Sequence, residues 1–363
     1  MTTVLTRSAL NRATLARQHL LEPAGLGPLE LVEHLVGLQA QAPGPPYTGL
    51  RTRLAGFEGE HLSALVESGE VVRMTLMRGT VHLVSAADAA LLRPLTEQAH
   101  RAVVARAYAA DLAGIDEAEL AARVRELVEE HPRTPAELAA ALGERWPGRS
   151  SQALTNAASA WTPLVQTPPR GLWRRGGQPR LTTFERWTGR TLAADASIDD
   201  VVLRFLAAFG PASVKDVQKW SMLTRLGAVL DRLRPELVTF RDEAGAELFD
   251  LPDAPRPGPG VPAPVRFLPE FDNVLLAYAG FDRVMDPAHK RTIFTVNGRI
   301  LGTVLVDGFA AATWRVDRVK AAATLTVTPL TPIAARDRRA ITAQGGRLLA
   351  FLEPDAEPAV VVG

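Results

Sequence analysis

The feature that most constrains the fold is an order of elements, helix, helix, helix and hairpin, that the sequence runs through three times. In the first pass TRSALNRATLARQHLL, residues 6–21, sets Leu10, Leu15, Ala16 and Leu20 near one helical face, and Pro23 and Gly25 end it. A second helix is predicted over 28–38, presenting Leu31, Val32, Leu35 and Leu38, and a short one around 60–68. VVRMTLMRGTVHLV then alternates as two strands turning near Arg78 and Gly79. The second pass has helices over 117–130, TPAELAAAL and 150–165, with Thr134 and Glu137 spaced as a capping box. Its hairpin, LWRRGGQPRLTTF, is expected to turn at Gly176 and Gly177. The third pass is IDDVVLRFLAAFG, SVKDVQKWSML, TRLGAVLDRL and the hairpin LVTFRDEAGAELFDL. Divergent repeats of roughly 80 residues in this order predict tandem winged helix-turn-helix domains.

A proline-rich linker over 252–264 precedes a section expected to be rich in strands: RFLPEFDNVLLAY, RTIFTVNG, ILGTVLVDG, AAATWRVDR and TLTVTPL. Asn297-Gly298 and Asp307-Gly308 mark its clearest hairpin turns, and IAARDRRAITAQGGRLLAFL reads as a closing helix. The expected fold class is α+β, with three tandem winged helix-turn-helix domains followed by a C-terminal β-rich domain. The boundaries are 1–98, 99–192, 193–252 and 253–363.

At 363 residues, 47% hydrophobic and 22% charged, the composition is that of a globular chain. No apolar run reaches the ~18 residues of a membrane span and the N-terminus shows no signal pattern, so a cytoplasmic protein is expected. The absence of cysteine excludes disulfides, thiolate nucleophiles and cysteine-ligated zinc. The histidines at 19, 34, 61, 100, 131 and 289 show no metal-ligand spacing, so neither metal nor cofactor is expected. A net charge of +1 argues against a large electrostatic footprint, but the charge is uneven: Arg170, Arg174, Arg175, Arg180, Arg186 and Arg190 face one acid, Glu185. Arginine favours bidentate phosphate or base contacts; a codon-biased composition would give the same count.

The first repeat carries the stretch VGLQAQAPGPPYTGLRTRL, residues 36–54. Gln39 and Gln41 are two apart, so in extended chain they share a side, whereas in a helix they diverge by about 200°. Pro43 pushes Ala42 out of the helical region, and the run Pro43, Gly44, Pro45, Pro46 is expected to be non-helical. The preceding helix should therefore end near Gln39. A carboxamide donates, accepts and does not titrate, which suits it to holding a water or reading a base edge. Capping a helix end or satisfying loop carbonyls is the alternative.

The LQAQ-x-P segment, the RGTVHLV hairpin, the repeats, FLPEFDNVLLAY and DGFAAATWR together resemble the winged-helix DNA glycosylases of the AlkZ and YcaQ type. The resemblance covers nearly the whole chain. It implies a concave surface for double-stranded DNA and hydrolysis of the N-glycosidic bond of bulky N7-alkylguanine, with unhooking of some interstrand crosslinks; three unequal units with no coiled coil or dimerisation segment suit a monomer. The family motif is Gln, an apolar residue, then Gln or Asp. Gln39, Ala40 and Gln41 place this chain with the two-glutamine branch, associated with self-resistance in producers of DNA-alkylating compounds rather than with general alkylation repair.

The chemistry is consistent with those residue types. Sugar glycosidases need an acid for the leaving oxygen, but an N7-alkylated guanine is already cationic and leaves neutral. What remains is placement of a water and of the deoxyribose. No lysine lies near the motif, so a Schiff-base step is not expected. A large adduct is difficult to flip, so the lesion is expected to stay in the duplex. Thr80 and His82 alternate on a strand and are candidates for DNA-backbone contact, or the polar face of an ordinary hairpin. Arg51 and Arg53 share a side if extended and, with Arg78, are candidate DNA contacts; Arg174, Arg175 and Arg180 would flank a wing tip beside phosphates. Trp314 and Arg315 lie on a late hairpin that the resemblance brings to the DNA, although a tryptophan there also suits a β-core. Asp272 reads as a turn or cap residue or, alternatively, an acid. A non-catalytic DNA-binding regulator and a protein-interaction scaffold are the competing classes.

Overall fold

In the computed structural model, which describes residues 3–363, the α+β class holds and the strands gather into three sheets. The hairpin of the first repeat, Val71–Thr75 with Val81–Ser85, and that of the second, Leu164–Thr167 with Arg180–Thr183, join edge to edge through Met74 and Val165. Leu38–Gln39 pairs on the outer side of Val81–Ser85 and completes five strands. The two-residue strand Val4–Leu5 runs parallel to Val238–Asp242 of the third repeat.

The third repeat follows the expected order, with helices Ile198–Phe209, Val214–Ser221 and Leu226–Leu233 and the hairpin Val238–Asp242 with Glu247–Asp250. In the second, Thr134 and Glu137 make the capping box of Pro135–Arg145. Two expectations for the second repeat change. The helix of 150–165 ends at Trp161, where Pro163 stops it and Leu164 begins a strand. The loop 168–179 separates the strands, so the hairpin does not close at Gly176-Gly177. A 22-residue helix, Ala86–Ala107, links the first repeat to the second despite Pro94 within it.

The proline run is also corrected. Residues 45–53 are a helix, not irregular chain, with proline filling its first turn, where a missing N–H and a fixed φ cost nothing. The helix expected over 28–38 stops earlier, at His34; Val36 and Gly37 take positive φ of 52° and 88° and turn the chain into the strand Leu38–Gln39. A Cβ on Gly37 would lie 2.3 Å from Val84 Cγ1, so glycine is required at this turn both for its φ and for its size.

In the C-terminal section the strands Arg266–Leu268, Gly302–Val306, Phe309–Val319 and Ala322–Pro329 form an antiparallel series turning at Asp307-Gly308. Glu357–Val362 adds a parallel fifth strand that the sequence did not announce, and the helix Ala335–Leu352 packs on the sheet. The segments FLPEFDNVLLAY and RTIFTVNG are mostly not strands: each holds a helical turn, Asn273–Leu276 and Lys290–Ile293.

The helix Arg7–Arg17 departs from a simple amphipathic pattern, because both of its sides are covered. Arg17 forms a forked pair with Asp250 of the third repeat at 2.6 and 2.8 Å, with both side chains fully buried. Asn11 donates to the carbonyls of Arg283 and Gly308. Such buried pairs are costly to break even where their net contribution is small, so this helix fastens the third repeat to the C-terminal section. No helix is long and apolar enough to cross a membrane among the described residues.

Candidate active site

Leu38–Gln39 pairs antiparallel with the strand Val81–Ser85, in a register that sets Gln39 opposite His82. The amide of Ala40 donates to the Val81 carbonyl at 2.7 Å. The Val81 N–H does not return to backbone; it donates to Gln41 Oε1 at 3.1 Å. The strand thus ends in a side-chain bond, and both glutamines rest on the limb 78–82 of one hairpin. Gln39 is 7% exposed and Gln41 is exposed.

Arg78 sits in the turn Met77–Gly79 at φ 58°, an uncommon left-handed value for a residue with a side chain. Its Nη2 donates to Gln39 Oε1 at 2.9 Å and to His82 Nε2 at 3.0 Å, and its Nη1 donates to the Trp220 carbonyl at 2.6 Å. Its Nε is sealed from solvent with no acceptor, and burial lowers the guanidinium to about 10, so it stays charged at neutral pH. His82 Nδ1 lies 2.9 Å from the Thr80 carbonyl. A carbonyl only accepts, so Nδ1 carries the proton and Nε2 is the acceptor. Burial first, and Arg78 second, lower His82 to about 3, so the ring is neutral throughout the physiological range.

Arg73, on the strand Val71–Thr75, closes the other side by donating from Nη2 to the Ala40 carbonyl at 2.8 Å. Burial lowers it to about 10, with Arg170 adding to the effect. Arg73 and the Trp220 carbonyl escaped sequence reasoning. A lone arginine at an inward position of VVRMT is the signal that would have found the first; nothing in sequence exposes a backbone carbonyl.

The other expected DNA contacts are dispersed. Arg53 is corrected: because 45–53 is helical it does not share a side with Arg51, and its fully buried guanidinium forks onto Asp272 at 2.8 and 2.9 Å. Asp272 is accordingly a cap and ion-pair partner, accepting also from the Val274 N–H. Arg51 lies over the Phe351 ring at 5.6 Å. Thr80 Oγ1 donates back to the Met77 carbonyl. Arg174 pairs with Asp355 at 2.7 Å and Arg180 with Glu137 at 3.2 Å, whereas exposed Arg175 has no ion-pair partner among the described residues. Trp314 packs, partly buried, against the C-terminal core, with Nε1 donating to the Leu268 carbonyl at 2.7 Å and the ring edge-on to Phe267. Arg315 is exposed and pairs with Asp317 at 2.8 Å. No group of three or more His, Asp or Glu is placed to hold a metal among the described residues.

The arrangement offers two carboxamides in fixed orientation and, among the described residues, no carboxylate bonded to either. A site of this kind can order a water or a sugar but cannot exchange a proton at neutral pH. Compared with known proteins, residues 32–351 match the family described as DNA glycosylase AlkZ-like. The solved structure of Streptomyces sahachiroi DNA glycosylase AlkZ superposes with a TM-score of 0.79 at 20% identity, over 99% of this chain and 100% of that one. That likeness, at such low identity, is one of fold. No curated protein matches the chain by sequence.

Proposed function

The chain belongs to the AlkZ-like DNA glycosylase family and is a DNA N-glycosylase, and from that premise we propose that it excises bulky N7-alkylguanine by simple hydrolysis, with Gln39 and Gln41 as the catalytic pair. The observation that carries this reading is the fixed polarity of both amides. Gln39 Oε1 has one lone pair on Arg78 and Gln41 Oε1 has one on the Val81 N–H, which leaves each oxygen a second lone pair. A water donating to both would direct its own lone pair at C1′ of the damaged nucleotide.

In that step the water oxygen bonds to C1′ while the C1′–N9 bond breaks. The bonding pair neutralises the cationic base, and a water proton passes to solvent. No acid is required, which fits a site without a carboxylate. The enzyme would work as a cytoplasmic monomer on double-stranded DNA, with repeats 1–98, 99–192 and 193–252 as winged-helix domains along the duplex and 253–363 as the β-rich domain. The lesion stays stacked. The role is repair or self-resistance to a genotoxic compound, with crosslink unhooking as one activity. The test is base release from a duplex with one defined lesion under enzyme excess: Gln39→Ala and Gln41→Ala should bind it and release nothing. Undiminished release by either variant would remove that glutamine from the mechanism.

A further inference from the structure

We propose that Arg78 is a positioning residue that fixes which end of the Gln39 carboxamide faces the reaction, and that His82 fixes Arg78. The proposal rests on the catalytic reading of Gln39 given above. A carboxamide rotated by 180° has almost the same shape but exchanges its acceptor for a donor. Something must choose, and here the choice is forced along one chain of atoms.

It starts from the Thr80 carbonyl, which can only accept; Nδ1 of His82 is therefore the protonated nitrogen and Nε2 presents a lone pair. That lone pair takes Arg78 Nη2, which also donates to Gln39, and a guanidinium has no lone pair to offer, so the atom of Gln39 that meets it is oxygen. The reverse orientation would set two N–H donors against each other in a partly buried place and leave both without an acceptor. The Trp220 carbonyl holds the other arm of the fork, so the helix Val214–Ser221 of the third repeat takes part in aiming a side chain of the first. Arg78 carries no carboxylate partner among the described residues, and its left-handed backbone is held in a tight turn. Both features suit a fixed donor better than a structural ion pair.

The test separates the rate of base release at saturating enzyme from affinity for the same lesion-bearing duplex. Arg78→Met, of similar length but unable to donate, should slow release by about tenfold or more while affinity changes less than about threefold. Arg78→Lys, with charge but no fork, should fall between. His82→Gln can place an acceptor where Nε2 stood and should recover most of the rate lost in His82→Leu. If any release is detectable in Gln39→Ala, adding Arg78→Met should slow it no further. Weaker binding of Arg78→Met with a salt slope lowered by about one would make Arg78 a phosphate contact and overturn the proposal. Equal rates for His82→Gln and His82→Leu would overturn it as well. Full release by Gln39→Ala would instead overturn the catalytic reading on which it rests; an inactive Gln39→Ala beside a fully active Arg78→Met would refute the positioning role alone.

Discussion

Lowering the pH from 7 to 5 should destabilise the folded chain through His82, whose burial disfavours the charged ring. Unfolded, the imidazole titrates at its ordinary 6.5; folded, burial and Arg78 hold it down to about 3. The sign follows directly. Below 6.5 the unfolded chain binds a proton that the native chain refuses, so the stability tied to neutral His82 is complete above 6.5 and is lost progressively as the pH falls toward 3. The slope approaches about 1.4 kcal/mol per pH unit, and between pH 7 and 5 it integrates to about 2 kcal/mol. The value hardly depends on the native figure, provided that it lies well below 5. Burial also lowers His100, to about 4, and His19 and His34, so the whole protein should lose more than this. Urea unfolding of wild type and His82→Gln at both pH values isolates the residue: the variant, lacking the titrating group, should lose about 2 kcal/mol less. Equal losses would mean that His82 is protonated in the native state, and the donor order Thr80, His82, Arg78, Gln39 would fail with it.

Asp272→Ala should cost about 3–5 kcal/mol in urea unfolding because it strands a fully buried guanidinium on Arg53; a loss below about 1 kcal/mol would contradict the buried pair. Gly37→Ala should cost about 2–4 kcal/mol, since the new methyl meets Val84 at 2.3 Å in a left-handed backbone, and an unchanged unfolding midpoint would show that the turn adjusts freely. Arg175→Ala should lower the slope of log affinity against log salt by about one and leave release at saturation unchanged; an unaltered slope would remove Arg175 from the DNA interface.

What the sequence made legible was what local rules decide. The capping box at Thr134 and the turn at Asp307-Gly308 follow from residue type and spacing, and the structure has them. Misreadings arose where one local rule met another. Pro45 would break a helix interior but opens a first turn, so the proline run read as irregular chain leads into a helix. Arginine was the hardest residue to place. Arg53, Arg73 and Arg78 look alike as surface cations in sequence, yet each is held inside by acceptors remote along the chain: Asp272, the Ala40 carbonyl and the Trp220 carbonyl. No period or propensity encodes such partners. The glutamine motif was legible as a pair; the atoms that orient it were not.

The most direct measurement is single-turnover release of N7-alkylguanine from a duplex with one defined lesion, a methyl adduct against a bulky one, by wild type, Gln39→Ala and Gln41→Ala. Wild type should release the bulky base and neither variant should, with binding retained by all three. Release that survives in the variants, or bound DNA from which wild type frees neither base, would contradict this.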